Sequence, residues 1–194
     1  PNMKINIGPA TPDRASRIAS LIMEAMNPGC CQTLAGAHHT LAEFHQVMER
    51  LVRMEDSQYS YRNTLLATNS EGITAGIIVS YDGAQLKALR KRFIEEAKET
   101  FGIDYTGMDP ETQEGELYID SLAVPAAFRG KGIAKMLLKA VIEKGWEMGL
   151  PAVGLLVDKG NPKAERLYAD MGFEYVNDAV WGGHSMKHLQ YPLR

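Results

Sequence analysis

The chain has 194 residues, 45% hydrophobic and 23% charged, ordinary values for a globular protein with room for a sizeable core. Its net charge of −3 leaves no basic excess for neutralising nucleic-acid phosphates. No apolar run approaches the roughly eighteen residues of a membrane span, and the N-terminus lacks the charged-then-apolar pattern of a signal peptide. The two cysteines, Cys30 and Cys31, are adjacent and build no disulfide framework, so a cytoplasmic setting is expected. No linker or repeat divides the chain, and residues 1–194 read as one domain. Pro1 and Asn2 precede the first methionine, Met3, and the sequence does not say which residue begins the native chain.

Residues 4–8 alternate enough for a short first strand. Thr11-Pro12-Asp13 reads as a helix start: a capping hydroxyl, a proline at the first helical position, then an acid near the positive end of the dipole. Ala15, Ile18, Ile22 and Ala25 give that helix one apolar face as far as Met26, and Asn27-Pro28-Gly29 breaks it. Residues 29–39 read as a loop. Cys30, Cys31, His38 and His39 within it match no metal-ligand spacing. Thr40-x-x-Glu43 is a capping box for a helix carrying Leu41, Phe44, Val47, Met48 and Leu51 along one side. Residues 64–68 and 73–81 read as strands joined by the turn Asn69-Ser70-Glu71-Gly72. A helix over 84–100 packs Leu86, Leu89, Phe93 and Ala97 and turns Lys87, Arg90, Lys91 and Arg92 to solvent. Residues 104–114 are polar and acidic and read as a loop.

Residues 116–124 are the centre of the pattern. Leu117, Ile119 and Leu122 alternate with Glu116, Tyr118 and Asp120, a strand with unlike faces. Pro125 cannot donate to a ladder and ends it near Val124. Arg129-Gly130-Lys131-Gly132-Ile133-Ala134 then opens a helix with Ala134, Leu137, Leu138, Val141 and Ile142 as its buried stripe. Glycines let such a turn approach a ligand closely, and the unpaired amides of the helix start favour an anion, phosphate above all. Gly149 and Pro151 stop this helix, and residues 152–157 form an apolar run suited to a central strand. Asn161 caps the next helix, which ends at Met171-Gly172. Strands over 173–176 and 185–191 close the chain around a loop holding Trp181, Gly182 and Gly183. His184 and His188 share a strand face and read as a surface pair.

The turn at 129–134 resembles the acetyl-CoA-binding motif of the GCN5-related N-acetyltransferases, Arg/Gln-x-x-Gly-x-Gly/Ala. Arg129, Gly132 and Ala134 match it position by position. A second block, Asn161-x-x-Ala164-x-x-Leu167-Tyr168-x-x-x-Gly172-Phe173, resembles a later motif of the same family, one helix and one strand downstream. Rival phosphate motifs fail: there is no P-loop, and Lys135 stands where a dinucleotide fingerprint wants its third glycine. No Gly-x-Ser-x-Gly hydrolase elbow occurs either.

The resemblance implies an acyl-CoA N-acyltransferase fold of the α/β (α+β) class, in the order β-α-α-β-β-(α)-β-α-β-α-β-β. It implies a mixed central sheet of about six to seven strands with helices on both faces, and residues 82–115 as a helical insertion. The strands near 116–124 and 152–157 would splay into a V at a bulge. Acetyl-CoA would lie there, its pantetheine arm along Leu122, Ala123 and Val124 in the manner of an added strand. Its pyrophosphate would sit on the amides of Arg129, Gly130, Lys131, Gly132, Ile133 and Ala134, with Asn161 near the pantetheine or thioester.

The implied activity is acetyl transfer to a primary amine of an unidentified small molecule or protein, with no metal, nucleic acid or membrane partner. Dimers are common in the family, and the terminal strands or the inserted helix could supply a homodimer contact. The alternative is a non-catalytic acyl-CoA-binding or regulatory module on the same fold. Tyr168 matches the tyrosine that protonates the leaving thiolate. Two acids compete for the role of base. Glu116 precedes Arg129 by the spacing of the glutamate base in histone-type members. Asp120 lies on the same strand face, ahead of any bulge.

Overall fold

The computed structural model describes residues 4–194; the stretch around the first methionine lies outside them. The elements in chain order begin with β1 (Ile5–Pro9), α1 (Ala15–Met26), α2 (Pro28–Ala35), α3 (Leu41–Arg53), β2 (Thr64–Asn69) and β3 (Thr74–Asp82). They continue with α4 (Leu86–Phe101), β4 (Leu117–Ala123), α5 (Ile133–Glu147), β5 (Ala152–Asp158), α6 (Pro162–Met171), β6 (Glu174–Trp181) and β7 (His184–Pro192).

The strands form a seven-stranded sheet in the order β1-β2-β3-β4-β5-β7-β6. Of these pairings, β4 with β5 is parallel and covers only Leu117↔Val153 and Tyr118↔Gly154. Past those two pairs the strands separate. The cause lies on the other edge of β4. There Val79 pairs with Ser121 and Ser80 with Ile119, so Asp120 is an extra residue in the ladder. Such a bulge bends its strand and increases the local twist. β5 stays in register with β7 from Ala152↔Pro192 to Asp158↔Met186. β4 therefore swings away while β5 holds its line, and the expected V opens between them.

Side chains alternate across the sheet and feed two cores. Ile77 and Val79 of β3 pack with Phe44, Val47, Met48 and Leu51 of α3 and the buried face of α1. Ile78 points the other way, to Ile133, Leu137, Leu138 and Val141 of α5. Each such fully buried side chain contributes roughly 1.5–3 kcal/mol. Helices thus cover both faces, and the V opens where the two layers meet.

Several local expectations hold for the stated reasons. Thr40 accepts from the Glu43 amide at 3.1 Å, and the Glu43 carboxylate accepts from the Thr40 amide at 3.1 Å, completing the capping box of α3. Asn161 Oδ1 caps α6 by accepting from the Ala164 amide at 3.2 Å.

Others are corrected. Thr11 makes no side-chain cap, and residues 12–14 form a single 3-10 turn ahead of α1. The stretch from Pro28 is helix, not loop: Asn27 caps it through the Cys30 amide at 2.9 Å, and Cys31, Leu34 and Ala35 bury its inner side. Pro28, read as a breaker, occupies the first turn of a new helix, where a proline is tolerated. Arg90 is not on a solvated face but buried, at 7% exposure. Ala134 and Ile142 leave the fully buried stripe of α5, which consists of Ile133, Leu137, Leu138, Val141 and Gly145. The last two strands are longer than expected and meet at a tight Gly182-Gly183 turn, so Trp181 ends β6 and pairs with His184. His188 is buried and bonded to Glu116, so the two histidines are not a surface pair.

Candidate active site

The turn between β4 and α5 owes its shape to two glycines. Gly130 (φ 76°) and Gly132 (φ 78°) both take left-handed backbone, and Gly132 is the N-cap of α5 with no side chain capping it. A Cβ at either position would meet nothing within 4 Å, so the backbone is approachable. The first amides of α5 have no intrahelical acceptor and sit at the positive end of the helix dipole. Arg129 braces the turn by donating to the Val124 carbonyl at 3.0 Å and pairing with Glu24 at 2.7 Å. Lys131 is exposed at the rim, and the Ile133 side chain is buried in the core, so Ile133 offers the turn only its backbone.

From this turn a cleft of about 520 Å³ runs into the V. Leu122, Ala123 and Val124 form one wall and Leu155 and Val157 the other. Beyond Tyr118 and Gly154 the facing edges of β4 and β5 are not paired to each other, so β4 offers unpaired backbone to an extended ligand. Arg129 and Ala134 stand at the mouth, with Asn161, the N-cap of α6, and Tyr168 from within it. Of these lining residues, Arg129, Ala134, Asn161 and Tyr168 are positions of the two motifs. Tyr168 packs edge-on against Phe173 with ring centroids 5.8 Å apart. Burial, with no opposing hydrogen bond, pushes its phenol up to about 12, so it is a protonated donor at neutral pH.

The two candidate bases part company. Asp120, the bulge residue, reaches the inner end of the cleft. Its Oδ2 accepts from Tyr81 Oη at 2.7 Å and Gln58 Nε2 at 3.1 Å, and its Oδ1 from Ser121 Oγ at 3.2 Å. Burial raises its pKa against the pull of these bonds and of Arg90. Glu116 does not line the cleft. It precedes β4 at the closed end of the V and is fully buried. It accepts from Thr112 Oγ1 at 2.6 Å and Gln190 Nε2 at 2.8 Å, with His188 Nε2 at 2.7 Å. A methyl group on Gly154 would collide with its carboxylate, so the glycine makes its room.

A second carboxylate stands beside Asp120 that sequence reading did not single out. Glu111, from the loop between α4 and β4, is 8% exposed. Its Oε2 accepts from Trp181 Nε1 at 2.8 Å and pairs with the Arg90 guanidinium, which also donates to the Met108 and Asp109 carbonyls at 3.0 Å each. Burial foremost, then the charge of Asp120, push Glu111 up to about 7, while Arg90 and the Trp181 bond oppose the rise. Gln58, Tyr81, Arg90, Glu111 and Trp181 come from five separate stretches. Nothing local marks them. Glu111 looks like its neighbours Asp104, Asp109 and Glu114, and Arg90 like the lysines flanking it on α4.

Comparison with known proteins matches residues 87–173 to the model of the acetyltransferase (GNAT) family. An N-acetyltransferase of Bacillus subtilis, YdgE, is 36% identical over 69 residues, covering 36% of this chain and 44% of that protein. The chain spans about half the length of the curated relatives it matches. A crystal structure described as an acetyltransferase superposes with a TM-score of 0.80 at 27% identity, covering 97% of this chain and 100% of the other. The structure of an N-acetyltransferase from Staphylococcus aureus Mu50 gives 0.79 at 25% identity, covering 95% and 99%. Both likenesses run through the V and extend well beyond the two motifs. Residues 87–173 therefore match the GCN5-related N-acetyltransferase family, and the chain has the acyl-CoA N-acyltransferase fold.

Proposed function

We propose that this protein is an acetyl-CoA-dependent N-acetyltransferase acting on a primary amine of a small molecule or protein. The supporting observation is the convergence of three features on one cleft: the approachable turn at 129–134, the unpaired edge of β4, and a lining that includes both Asp120 and Tyr168. The turn holds the cofactor's pyrophosphate and the edge of β4 its pantetheine arm. The thioester then lies between Tyr168 and the bulge.

Transfer makes three demands. The amine must lose a proton, the carbonyl must be polarised, and the leaving thiolate must gain a proton. We assign the first to Asp120, because it lines the cleft and burial makes it a stronger base than an ordinary carboxylate. Backbone amides beside the bulge meet the second, and one such donor is typically worth about 3 kcal/mol. Tyr168 meets the third. Holding the two reactants together contributes more, roughly 7–11 kcal/mol. Among the described residues no group of three or more His, Cys, Asp and Glu could hold a metal ion, and no helix is long and apolar enough to cross a membrane.

Calorimetric titration with acetyl-CoA, with free CoA as control, tests the cofactor site, and micromolar binding is expected. Thiol release against peptides, polyamines and aminoglycosides then tests turnover. Binding without consumption of acetyl-CoA by any amine would favour a non-catalytic acyl-CoA module. No binding at millimolar ligand would sink the assignment.

A further inference from the structure

Glu111 and Asp120 share their hydrogen-bond donors. Gln58 Nε2 lies 3.2 Å from Glu111 Oε1 and 3.1 Å from Asp120 Oδ2. Tyr81 Oη lies 2.7 Å from Asp120 Oδ2 and 3.4 Å from Glu111 Oε1. One hydroxyl proton serves one acceptor at a time, so Tyr81 donates to Asp120 and leaves Glu111 the weaker contact. Arg90 is the cation against this pair, and together the three groups carry one net negative charge when both acids are ionised.

The other groups facing the pair are the hydroxyls of Tyr59, Tyr81 and Tyr118, all held protonated by burial, and the Trp181 indole, with His184 across the ladder from Trp181. Elsewhere along the cleft, Glu24 pairs with Arg129 at 2.7 Å, and the exposed Asp158 faces His184 at 3.8 Å. The buried carboxylates of the cleft are therefore concentrated at its inner end.

We propose that Glu111 and Asp120 act as one carboxylate pair, with Arg90 as its counter-ion, that binds the acceptor through a single ammonium group and takes that group's proton. The chemical step rests on the acetyl-transfer reading, whereas the shared proton does not. The ammonium gives one proton to the pair and becomes a neutral amine. Its lone pair forms the N–C bond at the thioester carbonyl as the C–S bond breaks. The second nitrogen proton replaces the one Tyr168 gives to the leaving thiolate, and the proton on the pair passes to solvent. Asp120 touches the amine. Glu111 acts through it as a positioning residue that sets its proton affinity.

The test reads Glu111 directly through the indole it binds, in protein without ligand. Labelling tryptophan with ¹⁵N gives two indole signals. Trp146, 56% exposed beside Arg194, is the reference. The Trp181 signal is expected to titrate with a midpoint near neutral pH, and E111Q should abolish that step. D120N should move the midpoint down and R90Q should move it up, each by about one pH unit or more, because a like charge is removed in one case and an opposite charge in the other. In turnover, the acid limb of kcat/KM should move down in E111Q and up in R90Q. A merely structural role would lower activity without moving the limb in opposite directions. Should R90Q not fold, D120N decides alone. A midpoint below pH 5, or one that D120N leaves in place, overturns the pair. Intact titration with no thiol release from any amine would instead overturn the acetyl-transfer reading.

Discussion

Glu116, just ahead of β4, and Asp120, within it, have surroundings that differ in kind. Glu116 is enclosed by three side-chain partners at the closed end of the V, and Asp120 is turned into the open cleft by the bulge. Glu116→Gln is expected to lower Tm while leaving kcat/KM within a few-fold of wild type. Asp120→Asn is expected to cost about 10²–10⁴ in kcat/KM, the usual range for losing a general base. Thermal melts and steady-state rates on the two proteins decide. The reverse pattern would return the base to Glu116. Tyr168→Phe should lower kcat by a similar factor and leave the affinity for acetyl-CoA nearly unchanged, since the ring and its contact with Phe173 remain. Calorimetry alongside single-turnover rates separates these. At this scale the motif residues were legible because their neighbours define them. Glu111 and Arg90 were not, because each becomes distinctive only through the other.

Elements were legible where local chemistry decides them. The Thr40 capping box and the Asn161 cap formed as their sequences require. α2 was missed because Asn27-Pro28-Gly29 suits both the end of one helix and the start of another, and the packing of Cys31, Leu34 and Ala35 selects the second. The start of α5 carries a prediction of its own. Gly132→Ala places a Cβ on left-handed backbone, which costs roughly 1–2 kcal/mol of strain. The open space around it means the loss comes from backbone rather than from a clash. Weaker acetyl-CoA binding with a modest fall in Tm is expected. Unchanged affinity by calorimetry would show that the turn tolerates an alanine and does not need its left-handed form to hold the ligand.

For the molecule as a whole, the carboxylate pair couples stability to pH. Glu111 binds its proton more tightly folded than unfolded, since burial lifts its pKa from the ordinary 4.5 to about 7. Between those values the native state holds more protons than the unfolded one, so stability falls as pH rises, by up to ~1.4 kcal/mol per pH unit. Urea unfolding from pH 5 to 7.5 should show this fall in wild type and less of it in E111Q. A flat wild-type profile would mean that Glu111 stays ionised in its pair with Arg90.

The sequence by itself determined the family resemblance, the order of the strands, and every helix but α2. Each rests on residues close together in the chain, where caps, glycines and periodicity act. Only the tertiary structure decided which acid faces the cleft. A one-residue bulge in β4 sets that direction, and its position depends on register with β3. The same holds for the inner end of the cleft, where Gln58, Arg90, Glu111 and Trp181 meet. Their hydrogen bonds exist only once the loop before β4 has brought Glu111 against Arg90, Gln58 and Trp181, because burial converts ordinary surface residues into a proton-holding site.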